Sequence, residues 1–286
     1  MSAAAHAGLA ERPHDGLSQR DFARLATFIK DVAGIKMPDS KTTMLEGRLR
    51  RRVRATGTAT IAGYCHWFFE NGRHDDEIVH LINAVTTNKT DFFREPRHFD
   101  HLRDVVLPAW RASGRRTIRA WSAACSTGAE PYTMAMVLDA FAAQHSGPDY
   151  AILATDLDTE VLEVAQRGIY PAALMAPVPP VLRQRYVLTA RAAQRTDVRI
   201  VPALRAKVGF AQHNLMDERY DVGEPMDLIF CRNVLIYFDK PTQEQVVRRL
   251  ADCLRPGGFL FLGHSETIAG YDLPLTSVAN TVFQRT

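Results

Sequence analysis

The stretch WSAACSTGAEPYTMAM, Trp121 to Met136, decides the fold of the larger part of this chain. A short apolar segment runs into a turn of small residues, and Pro131 then stands where the first turn of a helix favours proline. A strand, a tight loop and a helix in this order are typical of a ligand-binding βα unit. The loop contains a single glycine, Gly128, and an acid, Glu130. A dinucleotide-binding loop needs more glycines, so the stretch raises the question of which ligand it binds.

The same alternation of strand and helix continues from residue 115 to the C-terminus. Apolar strands followed by helices predict an α/β fold with a doubly wound, mostly parallel sheet. The last segment, DLPLTSVANTVFQRT, has two extended stretches and no helix between them, which predicts an antiparallel hairpin at one sheet edge. The predicted strands are TIRAWSA, YAILATD, KVGFAQH, MDLIFC and FLFLG, and the predicted helices are Pro131 to Gln144, Thr159 to Arg167 and Thr242 to Leu254.

Residues 17–87 have a different pattern, with apolar residues at helical spacing in four successive segments. Ser18 precedes the first segment and Asp21 stands three residues later, which predicts a helix N-cap. The sequence therefore predicts an N-terminal helical domain over 17–87, after a disordered tail over 1–16. Residues 88–114 are predicted to form a linker helix, and residues 115–286 the α/β domain.

Residues 168–206 interrupt the α/β pattern with five prolines and several arginines. An insertion of this length within an α/β core is seldom a mere linker. We expect an inserted β-subdomain over the ligand side of the sheet.

Composition limits the class of protein. The 286 residues carry a net charge of only +3, so any attraction to polyanions must be local. No apolar run approaches the roughly 20 residues needed to span a bilayer, and the N-terminus does not have the pattern of a signal peptide. Four scattered cysteines without CxxC spacing argue against a zinc or redox motif. We expect a cytoplasmic protein with reduced thiols and no bound metal.

Polar residues follow the predicted strands, at the edge where an open parallel sheet binds its ligands. Asp156 ends the second strand, where an acid can accept hydrogen bonds from a ribose diol. Asp158, two residues later, has a simpler interpretation as the N-cap of the next helix. Asp156 is therefore the ribose candidate.

Glu130 bears on the identity of the ligand. A carboxylate near the loop would repel a pyrophosphate, so NAD and FAD become poor candidates. S-adenosylmethionine has a ribose, a sulfonium and an ammonium but no phosphate, and it suits this charge. The simpler interpretation is that Glu130 only stabilises the positive end of its helix dipole. Together with Asp156 and Asn214, the cofactor interpretation is favoured.

Five stretches of this chain closely resemble, in the same order, the chemotaxis receptor glutamate O-methyltransferases (CheR type). They are NAVTTNKTDFFREPRHF, WSAACSTGAEPYTMAM, ILATDLDTEVLEVAQRGIY, FCRNVLIYFDKPTQ and LRPGGFLFLGHSE. The resemblance as a whole runs from about Leu17 to the C-terminus and includes the helical first domain. The resemblance implies transfer of methyl groups from S-adenosylmethionine to glutamate side chains of chemoreceptors, in chemotaxis adaptation. It implies a Rossmann-like methyltransferase fold and a cofactor-contacting segment within 88–114.

The resemblance also implies a set of site residues. Arg94 would neutralise a carboxylate, Glu130 would face the methionine ammonium, and Tyr237 would line the opening near the sulfonium. The simpler interpretation of Arg94 is a surface salt bridge with Glu95 or a neighbouring acid, usually worth little. The implied cofactor contacts are Asn88, Thr90, Arg94, Glu130, Asp156, Asn214, Leu215, Arg232 and Asn233.

The implied chemistry needs no general base. A glutamate carboxylate has a reference pKa of about 4.3 and is ionised at neutral pH. Catalysis should come from alignment and from exclusion of water. Arg94 and Tyr237 are the candidates for orienting the substrate oxygen, and His213 and His264 are interpreted as structural.

The segment EGRLRRRVRATG predicts one helix with a strongly basic face. Leu45, Leu49 and Val53 share one stripe, and arginines cover the rest. The simpler interpretation is a solvated face; the alternative, which the family favours, is docking onto the helical cytoplasmic methylation region of a receptor. The arginines are Arg48, Arg50, Arg51, Arg52 and Arg54.

Two further expectations concern partners. The insert resembles a family β-subdomain that in some members binds a receptor peptide through a glycine-containing loop. LTARAAQRTDVRI has no glycine, so we expect no peptide tethering. For the oligomeric state, a monomer is the default expectation. The rival functions are an RNA or DNA methyltransferase, whose basic helix would grip phosphates, and a non-catalytic cofactor-binding adaptor. The segment CRNVLIYF has none of the prolines that adenine N-methylation signatures contain.

Overall fold

The computed structural model describes residues 16–70, 74–190 and 196–286, which group into two units. The first contains residues 16–30 and Met37–Val85, and the second contains Asp31–Lys36 and Thr86–Thr286. Apart from Gly16, the predicted N-terminal tail lies outside the described residues.

The first unit is helical, as the apolar spacing predicted. The Ser18 hydroxyl accepts a hydrogen bond from the Asp21 amide at 3.1 Å and donates to its carboxylate at 2.7 Å, which confirms the predicted N-cap. The helices are α1 (Gln19–Ala33), whose last turn groups with the second unit, α2 (Thr42–Thr56), α3 (Ile61–Glu70) and α4 (His74–Val85).

The second unit contains a seven-stranded sheet with the strand order β6-β2-β1-β7-β8-β10-β9. The first five strands in this order pair in parallel, and the last two are antiparallel, so both the parallel sheet and the C-terminal hairpin are confirmed. The strands are β1 (Thr117–Ala123), β2 (Asp149–Asp156), β6 (Val208–Gln212), β7 (Met226–Cys231), β8 (Leu254–Leu262), β9 (Leu275–Ala279) and β10 (Val282–Arg285).

Helices cover both faces of this sheet, because successive side chains of a strand point to opposite faces and both sets are apolar. One buried cluster includes Ile118, Tyr132 and Phe230, and the other includes Trp121 and Ile229. The helices are α5 (Pro96–His101), which continues through a π-helical turn (Leu102–Val106) into α6 (Leu107–Ala112), α7 (Ala129–His145), α8 (Thr159–Arg167) and α11 (Lys240–Cys253).

Two helices begin two residues earlier than predicted, at Ala129 and Lys240. The turn before α7 is made at Gly128, so Pro131 is the third helical residue instead of the first. The Asp239 carboxylate accepts from the Thr242 amide at 3.1 Å and caps α11. In both cases the residue at the N-cap, and not the first good helix former, sets the start.

The insert forms a separate antiparallel sheet with the order β3-β5-β4. It also contains two short helices that the sequence pattern did not predict. Residues 191–195, in the loop on which the prediction of no peptide tethering rests, lie outside the described residues. The elements are β3 (Ile169–Pro171), a 3-10 turn (Ala172–Met175), α9 (Pro180–Tyr186), β4 (Val187–Thr189), β5 (Asp197–Ile200) and α10 (Pro202–Arg205).

Within the described ranges, no helix combines the length and the apolarity needed to cross a membrane. The four cysteines are free thiols, three of them buried.

Candidate active site

Strained backbone concentrates at the carboxyl edge of the parallel sheet. Seven non-glycine residues of the described chain have φ in the left-handed region, and five of them lie in the segments that meet here: Phe93, Glu95, Ala124, Ser126 and Asn233. Each such residue costs of order 1–3 kcal/mol and persists where the surrounding structure enforces it, commonly at functional sites. The geometry therefore marks this edge independently of any motif.

Asp156 joins the loops that follow β1 and β2. Its carboxylate accepts hydrogen bonds from the amides of Ser126 at 2.8 Å and Asp158 at 2.9 Å. The side chain is buried, and burial raises the pKa of Asp156 to about 6. Asp156 is thus a buried acceptor that is ionised at neutral pH, in the position predicted for a ribose contact.

Asp158 caps α8 as predicted, accepting from the amides of Glu160 at 2.9 Å and Val161 at 3.3 Å. Its second oxygen accepts from the Asn88 amide group at 2.6 Å and from the Thr86 hydroxyl at 2.8 Å. The Asn88 side chain, predicted to contact the cofactor, therefore anchors its own segment to the cap of α8.

Glu130 is buried in an ion pair with Arg232. One oxygen accepts from Arg232 Nε at 2.8 Å, and the other accepts from the Ser122 hydroxyl at 2.7 Å. The inference from sequence treated Glu130 as an acid without a counter-charge, but Arg232 compensates it. The charge of Glu130 by itself therefore no longer argues against a pyrophosphate at this loop.

Arg232 lies between further polar groups and two aromatic rings. It donates to the Arg94 carbonyl at 2.8 Å and to Glu95 at 3.3 Å, and its guanidinium lies 5.2 Å and 5.3 Å from the ring centres of Phe99 and Phe230. These contacts hold the Arg232 guanidinium in place, so Arg232 has a structural role at the carboxyl edge of the sheet.

Arg94 is partly buried and donates to the Lys89 carbonyl at 2.9 Å. Glu95, its partner in the simpler interpretation, instead contacts Arg232 and accepts from the Asn233 amide group at 3.1 Å. Thr90 is half-buried in the same segment.

Asn214 and Leu215 have structural contacts that the sequence did not suggest. The Asn214 amide group donates to the Val32 carbonyl at 2.7 Å and its oxygen accepts from the Met216 amide at 3.0 Å, while Leu215 is buried in the core. The Lys36 amide donates to the Tyr237 carbonyl at 2.9 Å. Sequence reasoning missed this role of residues 31–36, because the contacts use the backbone carbonyl of Val32 and the backbone amide of Lys36, which no side-chain pattern marks.

Two acids that the prediction left out hold Asn233. Glu95 binds its side chain, and the Glu266 carboxylate accepts from its amide nitrogen at 2.9 Å. Tyr237 is half-buried and ends the short turn Leu235–Tyr237 after β7. Both acids stand in the quoted motifs, FFRE and GHSE, but nothing in the sequence relates them to each other.

The two histidines considered as bases have different surroundings. His213 packs against the rings of Trp121 and Tyr220, with ring centres 5.7 Å and 4.7 Å away, and burial lowers its pKa. His264 is exposed, and its ring centre lies 4.9 Å from that of His98. Glu95, His98 and His264 could together offer metal ligands, but the Arg232 guanidinium already contacts the first two.

Gly128 is required by protein packing. Its φ is 89°, and a Cβ there would lie 2.8 Å from the Ala165 Cβ and 3.0 Å from the Tyr170 hydroxyl oxygen. The single glycine of the opening stretch therefore lets α7 begin against α8 and the insert.

Arg48 and Arg52 of the basic helix α2 make contacts inside the first unit. Arg52 donates to the buried Glu77 at 2.8 Å and 2.7 Å, and Arg48 donates to the Ala84 and Val85 carbonyls. The predicted basic face is therefore narrower than the sequence suggested. Arg50, Arg51 and Arg54 are exposed.

His98 gives the site a pH-dependent stability. Arg232 can only donate, so the His98 Nδ1 at 3.1 Å accepts and the Nε2 proton points to the Thr281 hydroxyl at 2.9 Å. Burial and the positive charge of Arg232 lower the pKa of His98 to about 4, from about 6.5 in the unfolded chain.

We expect the contribution of neutral His98 to stability to be fully present above about pH 6.5 and to be lost as the pH falls towards about 4. In this range His98 binds a proton in the unfolded chain but not in the folded one. The loss amounts to at most about 3 kcal/mol. Urea denaturation of the wild type and of His98→Gln at several pH values measures it. Asp156 contributes in the opposite direction, because its raised pKa favours the folded state at low pH. Asp156 is present in both proteins, so its contribution cancels in the comparison. Parallel stability curves for the two proteins would contradict the assignment.

The chain matches two family models, which together cover most of its length. Residues 20–86 match the CheR methyltransferase all-alpha domain, and residues 88–283 match the CheR methyltransferase SAM binding domain. A chemotaxis protein methyltransferase of Escherichia coli is 40% identical over 93% of this chain and 91% of its own length. Chemotaxis protein methyltransferase 2 of Pseudomonas aeruginosa is 38% identical over 93% of each chain, and a relative from Borreliella burgdorferi is 34% identical over 92% of this chain and 95% of its own length.

Proposed function

Because this chain belongs to the CheR methyltransferase family, with S-adenosylmethionine as its methyl donor, we propose that it methylates glutamate side chains in the cytoplasmic methylation region of chemoreceptors. The observation that carries the proposal is the composition of the site. The buried acceptor Asp156 and the buried Glu130–Arg232 pair lie at the carboxyl edge of the sheet. This sheet belongs to the part of the chain that matches the SAM binding domain.

The carboxylates at this edge of the sheet suit a cofactor with a ribose and no phosphate. Asp156 is the acceptor for the ribose diol, and Glu130, although paired with Arg232, keeps lone pairs for an ammonium. The amide groups of Asn88 and Asn214 are bound to protein groups, so these two residues would contact the cofactor through backbone or apolar atoms. The proposed cofactor residues are Asn88, Thr90, Arg94, Glu130, Asp156, Asn214, Leu215, Arg232 and Asn233.

The reaction asks little acid–base chemistry of the protein. S-adenosylmethionine supplies a methyl group activated by a sulfonium, and the glutamate carboxylate that receives it is already ionised at neutral pH. We assign to Arg94 and Tyr237 the orientation of the substrate carboxylate. We propose that the site accelerates the transfer by aligning the reacting atoms and by excluding water from the carboxylate.

Tritium transfer from S-adenosylmethionine to receptor-containing membranes tests the proposal. Glutamyl methyl esters release volatile methanol in alkali, whereas methylated bases do not. We expect alkali-labile label on the receptor band. Alkali-stable label on nucleic acid would support the rival methyltransferase, and cofactor binding without any transfer would support the adaptor.

The exposed arginines of α2 are proposed to dock the receptor, whose methylation region bears clustered glutamates. We expect Arg51→Glu/Arg54→Glu to raise the KM for receptor membranes about 10-fold at low ionic strength and to weaken its salt dependence, because rim charges act mainly through long-range attraction. Cofactor affinity should stay within about 2-fold.

The matched control is Arg111→Glu/Arg116→Glu, which reverses two exposed arginines of the other unit. Equal KM changes in the two double variants would contradict specific docking by α2 and leave only a net-charge effect.

A further inference from the structure

Glu266 is a buried acid in neither the predicted site nor the proposed mechanism. It follows β8 in the turn that begins at Gly263, and only 5% of its surface is exposed. In the described structure every hydrogen bond of its side chain comes from a backbone amide. A carboxylate buried in this way is costly unless such donors compensate it, and burial raises the pKa of Glu266.

The donors are the amides of two chain segments that meet at the site edge. Glu266 Oε2 accepts from Gly263 at 2.6 Å and from Asn233 at 2.9 Å, and Oε1 accepts from Ile236 at 3.4 Å. The segment after β7 that carries Asn233 and Tyr237 is therefore bound to the end of β8 through one carboxylate.

Asn233 is immobilised from three directions. Its backbone has φ of 60°, an unfavourable conformation that the Glu266 contact helps to hold, and its side-chain amide donates to Glu95 at 3.1 Å. Gly263 completes the contact, because a Cβ there would lie 2.6 Å from the Asn233 side-chain nitrogen. A displacement of the Glu266 carboxylate would therefore move Asn233 and the turn that ends at Tyr237.

We propose that Glu266 is a positioning residue for methyl transfer, whose carboxylate fixes the backbone of residues 233–236 so that Asn233 and Tyr237 face the reacting groups. This inference rests on the proposed function of the site. Glu266 acts through the loop and touches neither cofactor nor substrate.

The test is Glu266→Gln, which keeps the size of the side chain and replaces one acceptor oxygen by an NH2 group that must oppose an amide donor. We expect kcat to fall about 30-fold, because misplacement of catalytic groups by around 1 Å has effects of up to about 100-fold. The KM for S-adenosylmethionine should change less than about 3-fold, since the ribose acceptor Asp156 is untouched. Glu266→Asp, which keeps the charge, should retain more activity than Glu266→Gln.

Glu224→Gln is the matched control, because it makes the same chemical change at an exposed acid and should leave kcat unchanged. If Glu266 has only a structural role, the activity of Glu266→Gln should fall only in proportion to the unfolded fraction measured by circular dichroism. That outcome, or a kcat for Glu266→Gln within about 3-fold of the wild type, overturns the positioning role.

Hydrogen–deuterium exchange separates this inference from the proposed function. The amides of Asn233 and Ile236 should exchange faster in folded Glu266→Gln than in the wild type, whether or not receptors are methylated. If the wild type transfers no methyl group, the proposed function fails and the exchange still reports on the loop. Unchanged exchange of these two amides overturns the role of Glu266.

Discussion

Replacement of Asp156 by asparagine is expected to weaken S-adenosylmethionine binding about 100-fold. The variant loses a charged acceptor for the ribose diol, and hydrogen bonds to charged groups contribute about 1.5–3 kcal/mol each. The new NH2 group also opposes the amide of Ser126 or Asp158, both of which bind the carboxylate. Isothermal titration calorimetry on protein shown to be folded by circular dichroism measures the change.

The pH dependence of binding provides a second readout. Burial raises the pKa of Asp156 to about 6, and the cofactor should prefer the ionised form. Affinity should therefore be full above about pH 7 and fall as the pH drops through 6, by at most about 10-fold per pH unit. In Asp156→Asn this dependence should disappear. Glu160→Gln, an exposed acid in the first turn of α8, is the control. Normal affinity in Asp156→Asn would remove the ribose assignment.

Replacement of Arg232 by methionine is expected to lower the free energy of unfolding by about 3–5 kcal/mol, because it leaves Glu130 buried without its counter-charge. The side chains of Arg232 and Glu130 are 2% and 9% exposed, so solvent screens the pair little. Equilibrium urea denaturation measures the loss. Arg111→Met, an exposed arginine on α6, should change stability by no more than about 0.5 kcal/mol.

The double variant Glu130→Gln/Arg232→Met separates charge balance from cofactor contact. Removing both charges should restore at least about half of the lost stability, because a buried pair is often replaced at little net cost. Cofactor affinity should stay low if Glu130 binds the ammonium. A double variant as unstable as Arg232→Met would mean that the cost lies in the contacts of Arg232 with Glu95 and His98.

The elements of this fold were predictable because each depends on a short stretch of chain. Buried strands such as MDLIFC and amphipathic helices such as α1 show their periods locally, and the caps at Ser18 and Asp158 depend on residues within three positions. Helix starts were less predictable, since Gly128 and Asp239 set them through the geometry of the turns before α7 and α11.

Part of the candidate site was likewise predictable from the sequence, and part was not. The residues that follow β1, β2 and β7 were identifiable because parallel strands end at one edge, and the topology of the sheet bears this out. Their partners were not identifiable. Glu130 meets Arg232 across 102 positions of sequence, and Asn214 meets Val32 across 182. No local pattern encodes which of many polar residues will be neighbours at such separations.

The amino-acid sequence by itself determined the α/β architecture, the helical N-terminal unit and the family, since these depend on local periodicity and on motifs read in order. Tertiary structure alone decided how charge is distributed at the site edge. Arg232 neutralises Glu130, Asp156 is left as the buried acceptor, and Glu266 holds the loop of Asn233. The physical reason is that the cost of burying a charge depends on the donors and counter-charges around it, and folding brings those together from distant parts of the chain.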